Sequence, residues 1–525
     1  MIDARTSLIL MKANTSVFER PDRIGRAMRA AIAHGNGMLG AVAASAARYP
    51  EVTAVSAPGH RVTYRDLWQG SNALARGLAR AGVGPSSRVG VLCRNTPTFV
   101  YALLGAAKLG ADIVLLNTAM GPGQLADVIE HEQLTTVLHD DDFGRVLKGI
   151  DGVRTIDATE IALLSSIHRS ANLSRPRQES RLIILTSGTT GRPKGAARSS
   201  GGSGIDGVAA LLGAIPLRLR DTVVVSAPFF HAWGLANLLI GLGLSATIVT
   251  APEFDAAQTL SLVSRRRARA LVVVPVMLQR MCSLPPEQLA AIDTSSLAII
   301  ASSGSALPGR LATEVLDRFG PTLYNVYGST EVATATVAGP TDLRTSPTTA
   351  GRPAPGVRVS ITDDDGKPVD AGAIGRIFVA NAARFDGYTG GGGKEIVNGQ
   401  LSTGDKGYFD EHGRLFVVGR DDDMIVSGGE NVYPSEVEDF LNQDERITEA
   451  AVVGIDDDQF GQALKAVIVA KPGSDIDVRE LKEDIAQNLA KYKVPRVFEF
   501  VDELPRNATG KILRRQLRPE PGVFE

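Results

Sequence analysis

The segment Leu185–Gly195 reads LTSGTTGRPKG and ends a run of apolar residues, 182–185, that predicts a buried strand. Its eleven positions hold three glycines, four hydroxyl residues and one lysine, Lys194. Glycines let backbone N–H groups turn inward around an anion, and hydroxyl and ammonium groups add further donors. The segment therefore predicts a polyphosphate-binding loop at the end of a strand. It is not a Walker A loop, because Lys194 precedes a glycine and the chain has no GxxxxGK[ST] motif.

Strands and helices are predicted to alternate on both sides of this loop. Leu67, Leu74 and Leu78 share one helix face, and a second helix is expected near 99–109. This alternation predicts an α/β fold with layered, largely parallel sheets. The buried-strand runs that support it are 88–92, 112–116, 182–185, 271–274 and 297–300.

The stretch Thr222–Pro252 contains no charged residue and would pass a crude filter for a membrane span. It also contains glycines, Asn237 and two strand-like runs, 223–225 and 247–249. We therefore expect a unit of strand, loop, buried helix and strand inside a large core.

Composition excludes some classes of protein. The 525 residues carry a formal net charge of −2, which argues against a strongly basic nucleic-acid binder. The two cysteines, Cys93 and Cys282, cannot form a disulfide framework, so a cytoplasmic location is expected. The apolar run at 7–11 is too short for a secretory signal.

The two ends of the chain differ in character from its middle. In residues 1–36, four arginines interleave with Ile24, Met28 and Ile32, which predicts a basic amphipathic helix. Such a helix either packs on the main domain or contacts anionic lipid at the inner membrane surface. The expected domains are a large one at 37–419, an acidic hinge at 420–424 and a small, mobile α+β domain at 425–525.

Seven motifs, in order, resemble the adenylate-forming superfamily, which comprises acyl-CoA synthetases, peptide-synthetase adenylation domains and firefly luciferase. The resemblance covers the chain after about residue 40 and is strongest to bacterial fatty-acid–CoA ligases. It implies a large N-terminal domain and a small mobile C-terminal domain. The motifs are Leu185–Gly195, Ala227–His231, Ser303–Pro308, Tyr324–Glu331, Ser402–Asp405, Gly419–Asp422 and Leu504–Lys511.

The resemblance implies a site for ATP and Mg²⁺. Thr186, Ser187, Gly188, Thr189, Thr190 and Lys194 would hold the β- and γ-phosphates, and Thr330 would donate to the α-phosphate. Glu331 would bind the metal, since one carboxylate with phosphates and water suits Mg²⁺. Tyr327 would stack on adenine, beside Asn325 and Gly328, and Gly304, Ser305 and Ala306 would form the opposite wall. Asp405 and Arg420 would contact the ribose.

By the same resemblance, Lys511 is a mobile catalytic lysine that bridges the substrate carboxylate and the α-phosphate. The small domain would carry it in and out by rotating about Asp422. After rotation, Ser427, Gly428 and Gly429 would line a channel for CoA. His231 would lie near the acyl carboxylate, as a gate rather than a base.

These implications predict an acid–CoA ligase that first forms an acyl-adenylate and then a thioester. An uncharged wall after His231 suits an alkyl chain better than an amino acid, so medium- or long-chain fatty acids are the expected substrates. An aryl or short-chain acid, a carrier-protein acceptor and a homodimer all stay open. The glycine run Gly390–Gly393 departs from the family, which often has a longer polar loop there.

Two other classes of protein are alternatives. The segment 202–207 matches the GxGxxG pattern of dinucleotide-binding oxidoreductases, but no predicted strand directly precedes it and Asp221 follows too early to be the ribose acid. A non-catalytic nucleotide- or acyl-binding protein on the same fold is the other reading. The presence of both Lys194 and Lys511 argues against it.

Overall fold

The computed structural model describes residues 9, 13, 20–35, 37–167, 173–186, 194–199, 204–381, 385–427, 430–457, 461–507 and 510–518. The strands in these ranges are β1 (Thr53–Ala57), β2 (His60–Thr63), β3 (Arg88–Leu92), β4 (Asp112–Leu115), β5 (Thr136–His139), β6 (Arg154–Ile156), β7 (Arg181–Thr186), β8 (Lys194–Ser199), β9 (Thr222–Val225), β10 (Thr247–Val249), β11 (Ala270–Val273), β12 (Ile299–Ser302), β13 (Leu323–Ser329), β14 (Ala333–Ala338), β15 (Arg352–Pro353), β16 (Arg358–Thr362), β17 (Gly375–Ala380), β18 (Ile396–Val397), β19 (Gln400–Phe409), β20 (Leu415–Arg420), β21 (Ile425–Ser427), β22 (Glu430–Val432), β23 (Ile447–Asp457), β24 (Gly461–Ala470) and β25 (Val497–Phe500).

The α-helices follow the same order. They are α1 (Pro21–His34), α2 (Met38–Arg48), α3 (Tyr64–Arg80), α4 (Pro97–Ala107), α5 (Pro122–His131), α6 (Gly144–Leu147), α7 (Ala158–Ile167), α8 (Gly204–Ala214), α9 (Ala232–Gly243), α10 (Ala256–Arg266), α11 (Pro275–Cys282), α12 (Pro286–Ala290), α13 (Gly309–Phe319), α14 (Pro340–Thr345), α15 (Pro434–Leu441) and α16 (Val478–Asn488).

Two sheets with mainly parallel pairing form the large domain and confirm the predicted α/β layers. One has nine strands in the order β15-β14-β13-β12-β11-β9-β10-β1-β2, and its centre, from β13 to β1, is parallel. The other has six strands in the order β6-β5-β3-β4-β7-β8, of which only the β7–β8 pair is antiparallel. Central strands such as β11 and β12 are buried along their whole length, because helices cover both faces.

Helix α3 shows how the sequence pattern produces the packing. It begins after Thr63, whose hydroxyl accepts the Asp66 backbone N–H at 3.1 Å and so satisfies one free donor of the first turn. Leu67, Leu74 and Leu78 lie one or two turns apart and are fully buried. The predicted helix face is therefore confirmed.

The charge-free stretch forms β9, α9 and β10, as predicted, inside the large core. Within the described ranges, no helix combines the length and the apolar character needed to cross a bilayer. The predicted strand at 297–300 is displaced and begins at Ile299. The reason is that the N–H groups of both Ala298 and Ile299 point to the Arg269 carbonyl, so regular pairing with β11 starts only at Ile299.

Two antiparallel sheets complete the described part of the chain. The first, β16 to β20, lies between the large parallel sheets and the small domain in sequence, and the sequence patterns did not predict it. The second contains β21 to β25 and packs against α15 and α16 around its own buried core, which includes Val437, Val452 and Ile485. The small C-terminal domain is therefore an α+β unit with a separate core, as predicted.

Candidate active site

The candidate site lies at the carboxyl ends of β12 and β13. In open α/β sheets this edge is where ligands bind. Residues just after β12 and at the end of β13 line one continuous cavity of about 1630 Å³, which reaches to the small domain. This volume exceeds the roughly 300–1,000 Å³ of a typical single small-molecule site, so it has room for more than one substrate.

The wall predicted for adenine is built by two neighbouring strand ends. Gly304, Ser305, Ala306, Asn325 and Tyr327 all line the cavity. Gly304 has a φ of +99°, a conformation that side chains disfavour and glycine adopts freely. The backbone there turns toward the cavity, and small groups leave room for a flat ligand.

Asp405 contacts this wall through a network of directed hydrogen bonds. The Tyr327 hydroxyl donates to Asp405 Oδ2 at 2.6 Å, and the Asp405 N–H bonds the Thr403 hydroxyl at 3.0 Å. Asp405 on β19 pairs directly with Arg420 on β20, so register places the two predicted ribose contacts together. Burial raises the pKa of Asp405, and the Tyr327 hydrogen bond and the Arg420 charge oppose that rise. The hydroxyl of Tyr327 thus holds Asp405, a role that the stacking prediction did not include.

Glu331, the predicted metal ligand, is buried and lines the same cavity. The Ser329 hydroxyl donates to its Oε2 and the Tyr388 hydroxyl to its Oε1, each at 2.8 Å. Burial alone would raise the pKa of Glu331, but these two hydrogen bonds, a backbone hydrogen bond and the Lys394 charge together hold the pKa below its ordinary value. An ionised carboxylate is therefore presented to the cavity beside Thr330.

The phosphate-loop prediction is only partly covered by the structure. Thr186 and Lys194 line the cavity, and the Thr186 hydroxyl donates to the Lys194 carbonyl at 3.1 Å. The Lys194 ammonium lies 5.7 Å from the centroid of the Tyr388 ring. The remaining loop residues Ser187, Gly188, Thr189 and Thr190 lie outside the described residues.

The loop that bears Lys511 docks on the large domain. The Asn507 N–H bonds the Lys511 carbonyl at 2.9 Å, and the Lys511 N–H bonds the Asn507 side chain at 2.9 Å. A Cβ on Gly510 would come within 2.4 Å of Val276 on α11, so glycine permits this close approach.

Lys511 itself faces the cavity that holds Asp405 and Glu331. Burial of its ammonium and the nearby Arg420 guanidinium lower its pKa, and Asp423 and Asp405 partly offset that shift. The two predicted lysines, Lys194 and Lys511, which are far apart in sequence, therefore line one cavity.

His231 caps the start of α9 at the apolar side of the cavity. Burial lowers its pKa to about 4, so the imidazole is neutral at ordinary pH. Among the described residues, its Nε2 has no hydrogen-bond partner. The adjacent Phe229 and Phe230 are buried in the core, so they position His231 rather than line the cavity.

Sequence reasoning missed two residues of the site. Tyr388 orients Glu331, and burial followed by its bond to Glu331 raises the pKa of the phenol, which keeps it a donor. Lys394 follows the glycine run, lines the cavity and donates to the Thr403 carbonyl at 3.3 Å. Its charge lowers the pKa of both Asp405 and Glu331, as smaller contributions. A lysine directly after four glycines was the sequence signal that could have identified it.

The structure gives fewer contacts for the predicted hinge and CoA-channel residues. Residues Asp421–Asp423 form a short 3₁₀ helix, and the backbone of Asp422 lies within it. Ser427 is buried in the small domain's sheet and is not part of the cavity wall. Gly428 and Gly429 lie outside the described residues. The hinge and channel roles remain predictions.

Comparison with known proteins agrees with this geometry. Residues 42–389 match the AMP-binding enzyme family, and residues 436–511 match the AMP-binding enzyme C-terminal domain. The chain belongs to the AMP-binding enzyme family. The first match alone spans more than half of the chain and includes the phosphate loop, the strand ends and Glu331.

Two curated relatives and one solved structure illustrate the similarity. The chain is 35% identical over 497 residues to an indoleacetate–CoA ligase of Aromatoleum aromaticum, covering 89% of this chain and 95% of the relative. It is 31% identical over 486 residues to the fatty acid–[acyl-carrier-protein] ligase ScoC of Streptomyces coeruleorubidus, covering 89% and 93%. The crystal structure of the anthranilate CoA ligase AuaEII with anthranoyl-AMP superposes with a TM-score of 0.84 at 26% identity, covering 92% and 96%.

As an AMP-binding enzyme, the chain is an acid–thiol ligase of the AMP-forming type and uses ATP. The superfamily resemblance predicted from the motifs is confirmed. The oxidoreductase alternative, which the sequence already argued against, does not agree with membership of this ligase family.

Proposed function

We propose that this enzyme is an acid–CoA ligase for medium- to long-chain fatty acids. The observation that supports the acid class is the apolar extension of the cavity beyond His231. Along α9 the lining residues recur at helical spacing on one face, at Ala232, Ala236, Leu239 and Gly243. The rise of the helix between the first and the last is about 16 Å. A second substrate placed there would be long and apolar.

The far end of this extension is formed by small and aliphatic groups. Val208 and Leu211 of α8 line this part of the cavity, as do Met38, Ala41 and Ala44 of α2. These residues carry no charge, so an amino acid's ammonium would lack a carboxylate partner there. Alanines at the end leave space that a longer side chain would fill.

The nucleotide end supplies the chemistry of the first half-reaction. A carboxylate must attack the α-phosphorus of ATP, and the two anions repel unless fixed positive charge lies between them. Lys511 would neutralise this charge, with Lys194 and Lys394 on the remaining phosphate oxygens. Asp405 would hold the ribose and so fix the α-phosphate in line.

Glu331 fits a Mg²⁺ ion. Its carboxylate is ionised and cavity-facing, and a hard cation can take its other ligands from phosphates and water. Such an ion would supply further charge neutralisation on the phosphates. The residues of the chain do the orienting: Tyr388 and Ser329 fix Glu331, and Tyr327 fixes Asp405.

The second half-reaction, attack of a thiol on the acyl-adenylate, would follow rotation of the small domain about Asp422. In the present arrangement the Arg310 guanidinium bonds the Asp444 carbonyl at 3.2 Å, and Gly510 packs on Val276. These contacts hold Lys511 over the nucleotide site. One of these contacts is polar and the other is apolar, and interfaces between domains of one chain commonly permit relative motion.

Aryl acids are the second candidate substrates. The curated relatives include the indoleacetate–CoA ligase and feruloyl-CoA synthases, and AuaEII is an anthranilate ligase. ScoC is named as a ligase that acylates a carrier protein, and a carrier protein is therefore the alternative to CoA as the acyl acceptor. An aromatic ring would occupy only the part of the extension near Trp233.

An acid panel distinguishes these substrates. The enzyme is given ATP, Mg²⁺ and CoA with straight-chain acids of increasing length and with aryl acids, and products are identified by mass. We expect the highest kcat/KM with medium- to long-chain acids. A maximum with indoleacetate, ferulate or anthranilate would replace the fatty-acid proposal with the aryl one, and thioester formation only on a carrier protein would replace CoA as acceptor.

A substitution at the far end sharpens the test. Ala44→Phe should fill the end of the extension and lower kcat/KM for the longest accepted acid by about tenfold relative to short acids, since each excluded methylene costs binding energy. Ala79→Phe, on an exposed part of α3 away from the cavity, is the matched control. Equal losses for long and short acids in Ala44→Phe would mean that the chain does not reach this position.

A further inference from the structure

Helix α1 carries an apolar stripe that the rest of the described chain leaves exposed. Ile24, Met28 and Ile32 follow one another at spacings of four and are 39%, 60% and 76% exposed. No residue of α1 is fully buried, although its opposite face packs on α2. Exposed large apolar side chains on consecutive turns form a patch, which usually marks a binding surface.

Positive charge borders this stripe. At about 100° per residue, Arg20 lies at one edge of the stripe and Arg29 beyond the other. The segment 20–35 holds four arginines and one aspartate, a net charge of +3, in a chain whose overall charge is −2. Asp22 pairs with Arg20 and Arg26, at 3.1 and 2.9 Å, and Arg29 forms no ion pair with an acidic side chain of the described residues.

The positive charge continues next to α1. The guanidinium groups of Arg23, Arg48 and Arg220 surround the Tyr49 ring, at 5.4, 5.3 and 5.1 Å from its centroid. Arg218 and Arg220 are exposed in the loop before β9. A surface with an apolar stripe flanked by arginines is complementary to a bilayer that carries anionic headgroups over an apolar interior.

We propose that the outer face of α1 docks this enzyme on an anionic lipid bilayer. Ile24, Met28 and Ile32 enter the region between headgroups and acyl chains, while Arg20 and Arg29 contact phosphates. The occupant is the bilayer rather than a second copy of the chain, because the arginines of two stripes brought face to face would repel.

The position of α1 connects this docking to the cavity. Ala31 on α1, Gly35 and Gly37 in the turn, and Met38 on α2 line the far end of the same cavity that reaches Lys511. A docked α1 therefore brings the end of the acyl extension to the lipid, from which an alkyl chain can enter. This consequence rests on the proposed function, whereas the docking itself does not.

Vesicle co-sedimentation tests the docking. The full chain is mixed with phosphatidylglycerol vesicles or with phosphatidylcholine vesicles at low and high salt. We expect binding to the anionic vesicles that weakens with salt. Met28→Ser with Ile32→Ser should weaken it by on the order of 100-fold. Arg20→Gln with Arg29→Gln should weaken it by roughly 30-fold.

The control variant is Leu163→Ser, since Leu163 is 58% exposed on α7, away from α1. It should bind as the wild type does. Unchanged binding in both α1 variants would overturn the proposal. So would a wild-type dimer that dissociates in the Met28→Ser, Ile32→Ser variant without any vesicle binding, because the stripe would then be covered by a second copy.

Enzyme kinetics separate failure of the docking from failure of the proposed function. In the α1 variants, kcat/KM should fall for a long-chain acid presented in anionic vesicles and stay unchanged for a water-soluble acid that the wild type accepts. Vesicle binding without any fatty-acid activity would leave the docking intact and overturn the substrate class. Equal activity of wild type and variants on the vesicle-borne acid would overturn the entry route.

Discussion

At the nucleotide end of the cavity, Asp405 accepts a hydrogen bond from Tyr327 and Glu331 accepts one from Tyr388. Along α9, by contrast, the walls are tryptophan, alanine, glycine, leucine and isoleucine. Directed bonds fix the positions of atoms, whereas apolar walls fix only a volume. We therefore propose that the first region determines the reaction and that the second determines the acid with much less precision.

The largest expected effect comes from removing the lysine of the small domain. Lys511→Ala should lower the rate of acyl-adenylate formation by about 10³-fold, because a positioned charge is lost where negative charge develops. Thioester formation from a supplied acyl-adenylate should change much less. The two rates are measured by pyrophosphate release and by product mass.

Lys491→Ala is the matched control, since Lys491 is an exposed lysine of the same domain. It should retain both rates. If Lys511→Ala reduced both half-reactions equally, Lys511 would serve the whole cycle, and the proposed rotation between two active arrangements would be contradicted.

The ribose contact should give the next largest effect. Asp405→Ala should raise the KM for ATP by roughly 10- to 100-fold, because it removes a charged acceptor and leaves the Tyr327 hydroxyl without the carboxylate that it bonds. Tyr327→Phe, which removes only the hydroxyl that holds Asp405, should give a smaller rise. Initial rates over a range of ATP concentrations measure both.

Asp370→Ala, at an exposed turn, controls for general loss of negative charge. An unchanged KM for ATP in Asp405→Ala would remove Asp405 from the ribose site. A larger effect in Tyr327→Phe than in Asp405→Ala would mean that the tyrosine acts on the nucleotide by itself.

Residues that the motifs assigned to one site, such as Asp405, Glu331 and Lys511, line one cavity, and the reason is physical. Its groups sit in short motifs at strand ends, as with Asn325 and Tyr327 on β13, and the chemistry requires particular residue types there. The α/β layers could also be predicted from the sequence, because strands that are buried on both faces appear in it as continuous apolar runs.

The rest depends on contacts between distant segments. Tyr388 and Glu331 are 57 residues apart, and no local pattern indicates that one donates to the other. The sheet β16 to β20 was missed although β17 and β20 contain short apolar runs, at 377–380 and 415–418, because such runs do not show which strands pair with one another. The apolar extension is lined by residues of α2, α8 and α9. Its length depends on how these three helices pack, and the positions of alanine and glycine in the sequence do not predict that packing.

Substitution of Lys394 tests whether a residue outside the seven sequence motifs also contributes to ATP binding. Lys394→Met should raise the KM for ATP by about tenfold, because the ammonium faces the space between Glu331 and Asp405. The difference from wild type should shrink at high salt, since the side chain is only half-buried. Lys367→Met, at a position 76% exposed, is the control. A fall in kcat with no change in KM would assign Lys394 to the transition state instead.

The smallest expected effect concerns His231, which lies where the two regions meet. Burial lowers its pKa from 6.5 to about 4, so the unfolded chain binds a proton that the folded chain rejects. The free energy of unfolding should therefore fall as the pH drops from about 6.5 toward 4 and be unaffected by this group above pH 7. His231→Gln lacks the titration, so the loss in Tm between pH 7.5 and pH 5 should be smaller than in wild type by about 2–4 °C.

His60→Gln provides the comparison, because His60 is exposed in the folded chain and its replacement should leave the pH dependence of the Tm as in wild type. If the Tm of His231→Gln fell between pH 7.5 and pH 5 by as much as the wild-type Tm, the imidazole would be hydrated in the folded chain. The apolar region would then begin beyond His231, at Trp233, and the boundary between the polar and apolar ends of the cavity would move by one half-turn of α9.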